Sequence, residues 1–291
     1  MGFHDGEATY VDQVKIKVTN LERSLTFYQD IVGFTILDKN DKSASLTVDG
    51  KKGVLFLEAP ETVVPKQRGT TGLYHFAILL PTRSDLASFL YHINQKGIEL
   101  GAADHLVSEA LYFSDPDGNG IEVYADRTAS NWQWTNGSVA MATNSLDVKD
   151  LLLQRVQQDW LGLPINSVMG HIHLHVSDLQ KAKSFYTKAL GFELVTEYGS
   201  QALFLSTNGY HHHIGLNTWN GVGALEPLPN SVGLQHFGLM FPTEEARQQA
   251  IERLKELSAP VTAIGEVIVT EDPSGNSIIL GFQGGGSPGN S

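Results

Sequence analysis

The feature that most constrains this chain is that it repeats itself. The segment from Val14, VKIKVTNLERSLTFYQDIVGF, recurs from Ile172 as IHLHVSDLQKAKSFYTKALGF. Val18 matches Val176, Phe27-Tyr28 match Phe185-Tyr186, and Gly33-Phe34 match Gly191-Phe192, all at one ungapped offset (176 − 18 = 158). Later in each half, His75-Phe76 in GLYHFAILLPT matches His236-Phe237 in GLQHFGLMFPT. Asp115-Pro116-Asp117-Gly118-Asn119 matches Asp272-Pro273-Ser274-Gly275-Asn276. A register held this far is a duplication of a unit of domain size, so any fold must place two copies of one topology.

Each half divides again. Residues 10–18 alternate as a strand does, with Val14, Ile16 and Val18 on one face. Asn20 is placed to cap a helix carrying Leu21, Leu25, Tyr28 and Ile31 at helical spacing, and Gly33 ends it. Strands follow at about 43–48 and 53–58. The second unit repeats the scheme, with a strand over 73–80, a helix over 83–96 ending at Gly97, and strands near 109–114 and 119–125. Asp115-Pro-Asp-Gly is the turn between the last two. The expected fold is therefore α+β, with four βαβββ modules in two tandem repeats. Residues 1–128 form the first half and 167–283 the second. Residues 129–166 are a connector with a helix from Val148 to Asp159, and 284–291 are a flexible tail.

Composition narrows the chemistry. The 291 residues include no cysteine and eleven histidines, which removes disulfides, zinc-finger clusters and thiol nucleophiles together. Any metal must be held by His, Asp, Glu or backbone. A net charge of −12 with no basic cluster argues against nucleic acid. No apolar run reaches membrane-spanning length and the N-terminus carries no secretion signal, so a cytoplasmic protein without a membrane partner is expected.

Alternate residues of a strand share a face. Opposite the apolar face, the first strands of the four modules offer Gln13, Lys15 and Lys17; His75, Ala77 and Leu79; His171, His173 and His175; His236, Gly238 and Met240. The leading positions Gln13, His75, His171 and His236 are equivalent by the repeat. On the last strands, Glu122 aligns with Ile279. Glu122 lies among β-branched residues and needs a partner if buried; a metal, an arginine or an open edge would each serve. His75, between Tyr74 and Phe76, reads on its own as a satisfied core histidine more readily than as a ligand, and the case for ligation rests on several such residues coinciding at equivalent places.

With these residues in view, the chain resembles the vicinal oxygen chelate superfamily, which includes glyoxalase I, fosfomycin-resistance proteins and extradiol ring-cleaving dioxygenases. That resemblance implies cup-shaped mixed β-sheets with helices outside. The run from His105 through Leu111-Tyr112, Asp115-Pro116 and Gly118 to Glu122 resembles the extradiol dioxygenase signature, departing from it at Ala103. Phe204 through His211-His212-His213 resembles the dioxygenase strand that ends in His-His. The chain is most similar to bacterial dioxygenases of the catechol 2,3-dioxygenase type.

The resemblance implies a metal held by two histidines and one carboxylate, and neither half completes that set. The second half has His171 and His236 but Ile279 in place of Glu; the first has His75 and Glu122 but Gln13 in place of His. The second and third modules together supply His75, Glu122 and His171, which implies a site built across the halves. The first and fourth modules would form a second, vestigial cup. Fe(II), with Mn(II) as the alternative, would keep about three open positions for a diol and O₂. His212, with His213 close behind, takes the acid/base duty, while Tyr112 and His105 assist the substrate. Partners would be a small aromatic diol and O₂, with a homo-oligomer left open.

Two alternatives stand beside this. One is a glyoxalase-like isomerase or transferase site within the first half, using Gln13, His75, Glu122 and Glu58. The other is a non-catalytic protein that sequesters antibiotics. His173 and His175 are expected to line the cup, and His211 to point away from His212. His4 and His92 are expected at the surface, and any of Trp132, Trp134, Trp160 and Trp219 could wall an aromatic pocket.

Overall fold

The computed structural model describes residues 2–156 and 160–285. The first module runs β1 (Tyr10–Lys17), α1 (Leu21–Phe27), β2 (Thr35–Lys39), β3 (Ser43–Thr47) and β4 (Gly53–Glu58). The second runs β5 (Gly72–Leu80), α2 (Arg83–Gln95), β6 (Gly101–Asp104), β7 (Ser108–Ser114) and β8 (Gly120–Asp126). A connector holds β9 (Trp134–Thr135), β10 (Ser138–Val139), β11 (Asn144–Ser145) and α3 (Val148–Leu153). The third module is β12 (Val168–His175), α4 (Leu179–Ser184), β13 (Glu193–Tyr198), β14 (Ala202–Ser206) and β15 (Ile214–Asn217). The fourth is β16 (Gly233–Phe241), α5 (Glu244–Glu256), β17 (Val261–Ile264), β18 (Val267–Glu271) and β19 (Ser277–Phe282). The α+β architecture of four modules in two tandem repeats is thus observed.

The modules do not pair by halves. A nine-stranded sheet in the order β11-β6-β7-β8-β5-β12-β15-β14-β13 joins the second module to the third. An eight-stranded sheet, β17-β18-β19-β16-β1-β4-β3-β2, joins the fourth to the first. The seams are antiparallel, β5 on β12 and β1 on β16. Val14 and Ile16 of β1, Phe76 and Ile78 of β5, Ile172 and Leu174 of β12, and Phe237 and Leu239 of β16 belong to one continuous core. The apolar faces of both sheets therefore share a core, and the polar faces look outward as cups.

Local chemistry explains the repeated elements. The Asn20 side chain accepts from the Arg23 amide, and Asp178, 158 residues on, accepts from Gln180 and Lys181. Each cap satisfies a first-turn amide that has no partner inside its helix. Each of these two short helices closes in a π turn, Tyr28–Val32 or Phe185–Ala189. Gly33 follows the first at φ +98°, against the backbone of Gly162, where a Cβ would have no room.

The Asp-Pro turns tie the two sheets together. Asp115 Oδ1 accepts from the amides of Asp117 and Asn119, at 2.9 and 2.8 Å. Its Oδ2 accepts from Asn119 Nδ2 at 2.8 Å and from the Tyr28 hydroxyl at 2.9 Å. Asp272 repeats this with Ser274, Asn276 and, at 3.0 Å, Tyr186. Each tyrosine belongs to one sheet's module and each aspartate to the other's. The four bonds compensate carboxylates that are otherwise expensive to bury.

Two sequence expectations need correction. The connector helix stops at Leu153 instead of continuing to Asp159, and residues 157–159 lie outside those described. Leu151 is its one buried residue, whereas Leu153 and Val156 are 81% and 84% exposed, so no packed face carries the helix further. Each of the first two modules also has one more strand than the patterning marks, β2 and β6. Both are short and partly exposed, so neither shows the alternation that reveals a half-buried strand. Residues 286–291 of the expected tail lie outside those described.

Replacing Tyr186 with Phe should cost about 1–3 kcal/mol, because it leaves a buried carboxylate one partner short. Urea unfolding of Tyr186→Phe against the parent chain measures this, and an unchanged midpoint would show that the tie contributes nothing.

Candidate metal centre

Register explains how three distant residues meet. On β5, Ala77 pairs with Glu122 of parallel β8 on one side and with His171 of antiparallel β12 on the other. Partners in register share a face, so the carboxylate and the imidazole lean toward each other over the small Ala77 side chain. His75, two residues earlier on β5, shares that face. The result is a buried triangle: Glu122 Oε2 lies 3.0 Å from both His75 Nε2 and His171 Nε2, and the two nitrogens are 3.4 Å apart. Among the described residues, this is one group of His and acidic side chains with ligand atoms close enough to share an ion. Ala77 was invisible to motif reasoning; its signal is the small residue at the centre of the seam.

Electrostatics favour the ligating forms. Burial pushes the Glu122 carboxyl up, but His171 and His75 outweigh it and hold the group well below the usual carboxylate range. Burial drives His171 down to about 4 against the pull of Glu122. At neutral pH the centre therefore offers a carboxylate and a deprotonated His171 imidazole, the donor set of a two-histidine, one-carboxylate metal site. The fit is also geometric, since one side of the triangle opens into a cavity of about 390 Å³.

That cavity is walled by Tyr74, Met141, Phe204 and Trp219, with His105, Tyr112, His173 and His212 as its polar groups. His212 comes from the loop between β14 and β15, its ring centroid 4.1 Å from that of His171. Burial, together with His171 and His211, keeps its imidazole neutral far below the usual histidine range. His105 lies in a bend where Leu106 takes φ +69°. Its Nδ1 meets the Ala142 carbonyl at 2.6 Å and its Nε2 the Tyr112 hydroxyl at 2.6 Å. The carbonyl only accepts, so Nδ1 carries the hydrogen, and a neutral ring accepts at Nε2 the hydrogen bond that the Tyr112 hydroxyl donates. Burial and the nearby Glu122 raise the Tyr112 pKa well above its ordinary value, so the phenol stays protonated.

The remaining candidates separate clearly. His173 faces His75 across the seam and lines the cavity, its ring laid over Gly215, where a Cβ would come within 2.8 Å of it. His175 Nδ1 meets Asn217 Oδ1 at 2.7 Å. His213 is committed elsewhere, its Nε2 donating to the Phe3 carbonyl at 2.8 Å. Of the tryptophans, Trp219 walls the cavity, Trp132 packs with Phe3 and Tyr210, Trp160 packs on Phe89, and Trp134 is 38% exposed. Three expectations fail here. His211 does not point away from His212; their Nδ1 atoms are 2.8 Å apart. His4 is half-buried, held at 2.7 Å on the Gly170 carbonyl. His92 is half-buried too, its ring stacked on Trp160.

The other cup differs in kind. Gln13 is buried on the β1–β16 seam beside Gly238. His236 faces Lys15, and Lys15 Nζ binds Glu58 at 2.7 Å. Gln13 and Glu58 thus lie in the sheet that lacks His75 and Glu122, so the within-half, glyoxalase-like grouping is not assembled. Ile279 provides no ligand, and burial together with the Lys15 charge pushes His236 down to about 4.

Comparisons with known proteins agree with this architecture. Residues 10–123 and 168–280 match the Glyoxalase/Bleomycin resistance protein/Dioxygenase superfamily. The chain belongs to that superfamily. It is 45% identical over 276 residues to the catechol-2,3-dioxygenase of Bacillus subtilis (strain 168), covering 94% of this chain and 97% of that protein. It is 30% identical over 118 residues to biphenyl-2,3-diol 1,2-dioxygenase 3 of Rhodococcus globerulus, covering 40% of this chain and 62% of that one. Among solved structures, glyoxalase I from Zea mays superposes with a TM-score of 0.58 at 17% identity, over 94% of this chain and 92% of that one, a likeness of fold alone.

The buried histidines carry a stability consequence. His173, His212, His213 and His236 all titrate below the ordinary 6.5 when folded, primarily because of burial. The unfolded chain then binds more protons, so stability is full above about pH 6.5 and falls as the pH drops toward 4. Urea midpoints of the metal-free chain should decline steadily over that window; a flat profile would contradict the assignment.

Proposed function

We propose that the chain is an extradiol dioxygenase that opens catechol or a substituted catechol with O₂ at an Fe(II) held by His75, Glu122 and His171. The observation that carries this reading is the triangle of three ligand atoms at the base of an aromatic-walled cavity, with a neutral imidazole beside it. The 45% identity to the Bacillus subtilis catechol-2,3-dioxygenase supports it. Fe(II) in such a set supplies adjacent open positions for vicinal oxygens and redox access to O₂. Mn(II) suits the same donors.

The protein's own groups do the rest. Tyr74, Phe204 and Trp219 give a planar ring apolar and edge-to-face contacts. His212 accepts a proton from a substrate hydroxyl and later returns it, which its neutral state at physiological pH permits. The His105–Tyr112 pair presents a hydrogen-bonding edge to substrate oxygens, anchored by the Ala142 carbonyl. Burial of the ligands keeps water from competing at the centre.

Protein loaded anaerobically with Fe(II) and mixed with catechol should turn yellow when air is admitted. No yellow product from protein with confirmed iron would overturn the reading, and loading with Mn(II) in parallel tests the metal. Glu122→Gln and His171→Ala should each weaken iron binding by at least about tenfold, while His236→Ala retains it. Equilibrium dialysis with iron analysis decides between these outcomes. His105→Ala should keep its iron and lose about 10- to 100-fold in kcat; an unchanged kcat would remove His105 from the reaction.

A further inference from the structure

We infer that Asp126 and His211 form a hydrogen-bonded chain that fixes which nitrogen of His212 faces the cavity as a bare acceptor. Both are positioning residues that act through His212, and the inference rests on the reading of His212 as the proton acceptor. Strand β8 delivers Asp126 four residues beyond Glu122 and on the same face. Asp126 Oδ1 lies 2.8 Å from His211 Nε2, and His211 Nδ1 lies 2.8 Å from His212 Nδ1. His211 is fully buried, with the Tyr210 ring 4.0 Å and the Trp132 ring 5.1 Å away, which leaves it no freedom to turn.

For neutral imidazoles the hydrogen-bond inventory then has one solution. A carboxylate only accepts, so His211 Nε2 is the N–H. A neutral imidazole with its hydrogen on Nε2 has a bare Nδ1, so that atom accepts, and His212 must supply its own hydrogen from Nδ1. His212 Nε2 is left as the lone-pair nitrogen. The proton that leaves a substrate hydroxyl forms its new N–H bond there, while the Nδ1–H stays shared with His211. A second chain holds the anchor in place: the Tyr124 hydroxyl meets that of Tyr210 at 2.7 Å, and Tyr210 donates to Asp126 at 3.3 Å. The Asp126 side chain is 21% exposed, so the chain runs from the cavity to the edge of the protein.

Histidine side-chain ¹⁵N spectra of the full chain, with His212 assigned by its loss in His212→Gln, test the tautomer directly. The parent chain should carry the His212 hydrogen on Nδ1, Asp126→Ala should show a mixture, and Asp126→Glu should restore the single form. With Fe(II) and catechol, Asp126→Ala should lose about tenfold or more in kcat. Its KM should stay within about twofold, and Asp126→Glu should recover most of the loss. A His212 hydrogen on Nε2 in the parent, a tautomer indifferent to Asp126→Ala, or a kcat that does not fall would each overturn the inference. If the parent chain does not open catechol, the proposed function fails, while the spectra still decide the tautomer.

Discussion

The antiparallel seam between β5 and β12 is the constraint on which the rest depends. It is the contact by which the duplicated halves complete one sheet, and its register sets Ala77 opposite His171. Shifting that pairing by one residue would turn the histidines of β12 into the core and the apolar residues out into the cup. The apolar alternation of Phe76, Ile78, Ile172 and Leu174 resists such a slip, because those side chains are packed into the common core. The energy that fixes the polar triangle is thus largely hydrophobic and lies on the opposite face.

Much of this was legible in the sequence. The offset of 158 between Val18 and Val176 exposes the duplication, and the apolar alternation in β1, β5 and β12 marks the strands that cross the molecule's centre. His75, Glu122 and His171 were legible as a set through the family resemblance, whose two-histidine, one-carboxylate requirement fails in the first half at Gln13 and in the second at Ile279. What stayed hidden depends on neighbours distant in the chain. Strands β2, at a sheet edge, and β6, beside the two-residue β11, are short and lack alternation. Helix α3 ends where nothing covers Leu153. His211 turns toward His212 because Asp126, 85 residues earlier, accepts from it.

The two cups differ in the ligands they present. Lys15 occupies the repeat position of His173 and sits across the seam from His236. A positive charge there opposes a second cation, and its pairing with Glu58 occupies that carboxylate. Gln13 and Ile279 leave that cup without the histidine and carboxylate found in the other. The eight-stranded sheet retains the backbone of the cup and the shared core, so it serves as the platform against which the nine-stranded sheet is held.

The interleaving of modules also has a consequence in time. During synthesis the first half emerges with β5 and β8 formed in sequence order, but β5 has no partner on its free edge until β12 appears about a hundred residues later (168 − 72 = 96). Until β12 has been made, His75 and Glu122 lack His171, the third member of their group. A metal at this centre would therefore find its three ligands together only after that seam has closed, and the same closure covers the open strand edge.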